Sequence, residues 1–272
     1  MPHDPTECQV CSRFVRPSHA TRSAQRLYDA NTATIRFLSF FTRYASHWDR
    51  INFVLTDVLD GRGSWDTTPV ELAEKNPGPG IRFLRKNLQD LLQMLFSRQV
   101  ESFESYLADV LREALRSHPE LLRSREEVRL DYVLRFASLE EMLQDLVDRK
   151  VADLSYLGLN KLSDWVEQHM AVKLIDDSSL VEVISEAIET RNCIVHNRGR
   201  VGAKYIRNVP NPRFAIDEIR LLDLDDLLHI TSTIGLIVKR FDTLLAEKFG
   251  LQLLPYTEKT DDSIPTENKD AP

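Results

Sequence analysis

The chain has 272 residues, 42% hydrophobic and 28% charged, enough to bury a sizeable core in one large domain or two small ones. Its 35 Lys+Arg against 42 Asp+Glu give a formal charge of -7, which excludes a protein that coats nucleic acid or an anionic membrane with its whole surface but leaves room for a local basic site. Three cysteines, Cys8, Cys11 and Cys193, are too few and too scattered for a disulfide framework and fit a cytoplasmic location. Nowhere do about 18 uncharged apolar residues run together, so neither export nor membrane spanning is expected.

Helical periodicity dominates, and the chain reads as all-α. Residues 1–22 read as a flexible leader. Cys8-x-x-Cys11 with His3 or His19 is one pair without a second, a poor zinc site, so no metal is expected. Residues 23–75 form an N-terminal helical segment, with Leu27, Ile35, Leu38, Phe41, Tyr44, Ile51 and Val54 at helical spacing and a break expected near Ser46. A turn-rich stretch ending in Asn76-Pro77-Gly78-Pro79-Gly80 marks a boundary. A second domain, 81–250, starts with a stripe from Ile81 to Ala114. As one helix to Ser117 it would run roughly 55 Å at 1.5 Å per residue, with a bend expected near Ser97.

Pro119 closes that helix, and Ser138 with Glu141 signals a capping box for the next. A shorter helix is expected from Lys161 to Val172, and another from Ser179 on, with Leu180, Val183, Ile184, Ala187, Ile188 and Val195 at helical spacing. "VGAKYIRNVPNPRFAIDEIRLL" reads as a loop or small hairpin because of Pro210, Pro212 and short β-branched runs. Asp223 caps a last helix that Gly250 ends. Residues 256–272 read as a disordered tail. No internal repeat is found.

The helix from Ser179 ends in "RNCIVHNRGR". Asn192 and His196 are four apart and share a face, and Arg191 is long enough to reach beside them. From Arg191 to Ile216 there are six basic residues and no acidic one, so an acidic chain makes a local exception that suits an anion. His196 can give or take a proton through its imidazole, and Arg191 can offer fixed donors to phosphate oxygens. A group that exchanges a proton and a cation that meets a phosphate are what a metal-free phosphodiester cleavage needs. The bland reading is an Arg and a His that complement a helix dipole. His47, His118, His169 and His229 sit singly and carry no role.

Arg191 and His196 with four residues between them, on a long penultimate helix of an all-α chain, resemble the Arg-x(4 to 6)-His motif of the HEPN superfamily. "ESFESYLADVLREAL" is similar to the first helix of HEPN proteins grouped with RiboL-PSP and related microbial defence proteins. The resemblance covers roughly Ile81 to Gly250. It implies a HEPN-like helical bundle, a metal-independent endoribonuclease leaving a 2′,3′-cyclic phosphate and a 5′-hydroxyl, no cofactor, and a homodimer whose two motifs form one groove. Arg191, Asn192 and His196 would be catalytic, Arg198, Arg200 and Lys204 would hold RNA, and Glu104 would approach Arg191. A toxin or anti-phage role with a defence-system or antitoxin partner follows. HEPN toxins paired with nucleotidyltransferase antitoxins carry Tyr two residues after the His, where this chain has Arg198, which departs from that pairing. The alternative is a non-catalytic HEPN-like module that dimerises and binds a partner or a nucleotide.

Overall fold

A computed structural model of the chain describes residues 17–59, 78–123 and 127–256. Among them the chain is mostly α-helical: α1 (Arg22–Leu59), α2 (Pro79–Lys86), α3 (Leu88–Ser117), a 3-10 turn (Pro119–Leu122), α4 (Leu130–Val133), α5 (Leu139–Tyr156), α6 (Leu159–Met170), α7 (Ser178–Asn197), α8 (Ala203–Asn208) and α9 (Leu224–Phe249). One two-stranded sheet joins β1 (His19–Ala20) to β2 (Leu254–Pro255), antiparallel, with His19 opposite Pro255. No helix among the described residues is long and apolar enough to cross a membrane.

The chain divides into two compact units, and neither is continuous. The first comprises Met1–Asp29, Ser102–Val181 and Ser232–Pro272, the second Ala30–Glu101 and Glu182–Thr231.

In the first unit, Thr21 caps α1 by accepting from Ala24 N at 3.2 Å, and its own N–H donates to Asp242 Oδ2 at 2.9 Å. The end of the segment expected to be a leader is thus fixed by β1 and by this cap. Residues 1–16, with Cys8, Cys11 and His3, lie outside the described residues, as do 257–272 of the tail. Buried Phe103, Tyr106, Val110, Leu111 and Ala114 on α3 follow helical spacing, as do Ile234, Val238, Phe241 and Leu245 on α9. α5 packs on α6, each burying a stripe: Val147, Val151 and Leu154 on one, Leu162, Val166 and Met170 on the other. The cap of α5 is as expected, Glu141 N donating to Ser138 Oγ at 3.1 Å, while the Glu141 carboxylate reaches back to Ala137 N at 2.9 Å. α9 ends where expected, at Gly250 with φ +61.

Two expected irregularities lie elsewhere. α1 has no break at Ser46, because Ser46 Oγ donates to Thr42 O at 2.9 Å and is satisfied within the helix. The long stripe breaks at Asn87 and not at Ser97, which is buried inside α3. Asn87 Nδ2 donates to Phe83 O at 2.7 Å, offering the backbone a local alternative to the helical ladder.

In the second unit, buried Asp49 of α1 caps α2, accepting from Gly80 N at 2.6 Å and Ile81 N at 2.8 Å. A Cβ on Gly80 would meet Ala45 O at 2.9 Å, so only glycine fits this close approach. Gln89 bridges α3 to the chain entering α9, donating to Leu222 O and accepting from Leu222 N at 3.0 Å. α9 also starts where expected, with Asp226 N donating to Asp223 Oδ1 at 2.8 Å.

Candidate functional site

α7 carries the Arg191 to Arg200 stretch. Asp177 starts the helix by accepting from Ser179 N and Oγ, both at 2.8 Å, and these bonds hold its carboxyl below the usual range. Ile184, Ala187, Thr190 and Cys193 turn inward at spacings of three, and Cys193 joins Val201, Tyr205 and Val209 in a small core with Ile206 and Phe214 packed against it. Burial pushes the Cys193 thiol pKa up, against reactivity. The same core forms α8, a helix that the sequence pattern does not announce: Tyr205 is buried within it, and the turn stops at Asn208 because Val209, ahead of Pro210, is held extended. The expected loop or small hairpin is present around it, closed by an Arg200–Ile219 bridge and by Val201 N donating to Glu218 O at 2.8 Å.

The end of α7 is unusual. Arg198 has φ +52 and Gly199 φ +77, and Gly199 N donates to Cys193 O at 2.9 Å. A left-handed arginine costs about 1 kcal/mol, and such costs gather at functional sites. This double left-handed turn carries the chain out of α7 with His196, Asn197 and Arg198 exposed.

The sequence-selected residues separate into two groups. His196, Arg198 and Lys204 are exposed and have no hydrogen-bond partner among the described residues, and Arg207 is placed alike. Arg200 is exposed, but its Nη1 donates to Asp217 O at 3.1 Å. Arg191 is half-buried on α7. Asn192, expected to be catalytic with His196, donates to Glu189 Oε2 at 3.3 Å, one turn back. Glu104 is half-buried on α3 and belongs to the first unit, whereas the motif belongs to the second.

The one-sided charge of the loop is partly balanced by acidic residues ahead of the motif. Glu182, Glu186 and Glu189 form a stripe along α7. Glu186 accepts from Arg213 Nη2 at 2.9 Å and from Tyr205 Oη at 3.1 Å. Glu189, buried, accepts from Asn208 Nδ2 at 2.6 Å, and Glu182 from Asn211 Nδ2 at 3.3 Å. Burial, then Glu186, pushes the Tyr205 phenol pKa up, so it stays protonated as a donor. Of the six basic residues, Arg213 is therefore committed to α7. The spacing 182, 186, 189 ahead of an acid-free loop was the available signal, and attention to the basic run alone misses it. The loop closes on a second pair, Arg220 with Asp226 at 2.8 Å, and Arg220 also lies over the Phe214 ring at 4.6 Å.

What remains is an exposed imidazole at a helix end, followed along the chain by the exposed cations Arg198, Lys204 and Arg207, on a loop pinned to α7 by three carboxylates. No group of three or more His, Cys, Asp or Glu side chains gathers as a metal site among the described residues. No family model matches the chain, and neither a curated protein nor a solved structure matches it.

Proposed function

We propose that the chain is a metal-independent endoribonuclease of the HEPN type. The observation that carries the reading is the placement of His196 and Arg198 at the exposed end of α7, beside a loop whose remaining cations face solvent. His196 exchanges the proton of the attacking 2′-OH or of the leaving 5′-oxygen. Arg191 supplies charge to the phosphate as it gathers negative charge in the transition state. Arg198, Arg200 and Lys204 neutralise backbone phosphates on either side. The 2′-oxygen bonds to phosphorus as the P–O5′ bond breaks, giving a 2′,3′-cyclic phosphate and a 5′-hydroxyl. A homodimer would set two such α7 ends around one strand. A toxin or anti-phage role, with a defence-system partner, is the biological setting that this chemistry suits.

One observation favours a second reading. Asn192 is bound to Glu189, and His196 has no hydrogen-bond partner among the described residues. A non-catalytic HEPN-like module that dimerises and binds a partner or a nucleotide would carry such a histidine unused. Incubating the protein with matched RNA and DNA oligonucleotides in EDTA separates the readings. Cleavage of RNA alone, with cyclic-phosphate ends, supports the nuclease; RNA left intact supports the module.

A further inference from the structure

α1 turns Leu38, Ala45 and Asp49 inward, yet a second face of the same helix is aromatic and faces solvent. Phe37, Phe40, Phe41, Tyr44 and Trp48 are between 36% and 60% exposed. Their rings are ordered against one another: Phe40 and Tyr44 stack with centroids 5.7 Å apart and planes at 19°, Tyr44 and Trp48 at 6.3 Å and 20°, and Phe37 tilts on Phe41 at 4.6 Å. At 100° per residue the ring positions fall within one sector of about 100°, while Arg36, Arg43 and His47, all exposed, form an edge about 90° to one side. Ala30 to Trp48 contains no acidic residue, in a chain of net charge -7.

An aromatic strip bordered by a cationic edge matches one ligand chemistry: flat rings joined by an anionic backbone. A second copy docked antiparallel on this face would set the cationic edge against its own image, and an uncharged apolar partner would leave that edge unused. We propose that this face of α1 is a stacking platform for single-stranded RNA, with bases on Phe40, Tyr44 and Trp48 and phosphates along Arg36, Arg43 and His47. Phe37 to Trp48 spans about 16 Å at the helical rise, room for a few nucleotides. Stacking on rings tolerates any base, so the platform holds a strand without choosing its sequence. The proposal rests on the reading of the chain as acting on RNA.

The test uses the His196→Ala chain, which keeps RNA intact, and the fluorescence anisotropy of an end-labelled oligouridylate of roughly twelve nucleotides, within the usual span of such sites. Phe40→Ala/Tyr44→Ala/Trp48→Ala should weaken binding by about tenfold or more, since each stacked base is worth on the order of 1 kcal/mol or above. Tyr44→Phe/Trp48→Phe should bind within about twofold of the parent, because both rings remain. Tyr44→Leu/Trp48→Leu keeps an apolar surface and removes the rings, so it should lose affinity like the alanine variant. Leucine binding as tightly as the parent would overturn the proposal. So would a triple variant that keeps its RNA affinity while leaving a dimer in sedimentation, or while losing association with anionic vesicles. The two claims fail separately. Ring-dependent binding without cleavage by the parent leaves the platform and removes the nuclease. Cleavage by the parent with KM unmoved in the triple variant removes the platform and leaves the nuclease.

Discussion

Both units bury polar groups, and they differ in what their carboxylates hold. In the first, Asp242 is buried and accepts from Thr21 N, Thr21 Oγ1 and Tyr106 Oη, so a carboxylate, a helix cap and a phenol satisfy one another away from water. In the second, the carboxylates of α7 hold the loop that follows it, where Arg198, Lys204 and Arg207 are exposed, as is His196 at the end of α7 itself. A satisfied inward network stabilises and rigidifies. Under the proposed function, exposed cations on such a supported loop position RNA instead. The contrast sets a buried network that stabilises against a bonded loop that leaves cations exposed, which the proposed function uses for recognition.

The largest effect that would test this contrast is on stability. Asp242→Ala removes the acceptor of three donors that sit in a buried network, and should destabilise the chain by about 4 kcal/mol, read by urea denaturation, with hydrogen exchange rising first in the first unit. A loss below about 1 kcal/mol would mean that the network is not structural. Arg220→Ala should follow at about 2–3 kcal/mol, since Asp226 is left without its charge partner and Phe214 without its cover, with the Asp226 side chain partly hydrated.

The two carboxylates also differ in sign. Burial, outweighing the bonds from Thr21, holds the Asp242 pKa above its ordinary 3.8. Burial also acts on Asp226, but the bonds from Arg220 and Asp223 N outweigh it and hold the pKa below 3.8. Asp226 therefore contributes stability that is present above its unfolded pKa and is lost as pH falls through its lower folded value. Asp242 does the reverse: its contribution is most favourable below the unfolded pKa and declines as pH rises through its raised value. On acidification, the stability gap between parent and Asp226→Asn should close, while that between parent and Asp242→Asn should widen. Gaps moving the same way would contradict the assigned environments.

The smallest stability effect is expected at the exposed cations. Arg198→Ala/Arg200→Ala/Lys204→Ala should leave unfolding unchanged to within about 0.5 kcal/mol per site, while the slope of log RNA affinity against log salt falls by roughly one for each phosphate no longer neutralised. Equal slopes would make the loop a solvated feature.

The sequence carried most of the local decisions. Ser138 with Glu141, Asp223 and Gly250 each set a helix end through their own hydrogen bonds or backbone freedom, so their signals are local and legible. The break at Asn87 and the continuity at Ser46 depend on which backbone carbonyl a side chain selects, which spacing does not reveal. α8 arises because Tyr205 is buried against Cys193 and Val209, a tertiary cause. The interleaving of segments in the two units is equally tertiary. At the candidate site, the placement of Arg191, Asn192 and His196 on one helix was legible from spacing alone. The diversion of Asn192 to Glu189 was not, because the partner that holds Glu189 from the other side, Asn208, comes from the unanticipated helix.

The measurement that bears most directly on the central claim is single-turnover cleavage of a labelled single-stranded RNA in EDTA by the parent and by His196→Ala. His196 is exposed and outside every core, so the variant should fold as the parent does, with an unchanged unfolding midpoint and RNA affinity. Its cleavage rate should fall by about 10²- to 10⁴-fold, the usual weight of a positioned acid or base. A variant that cuts as fast as the parent, or a parent that binds RNA and does not cut it, would contradict the account.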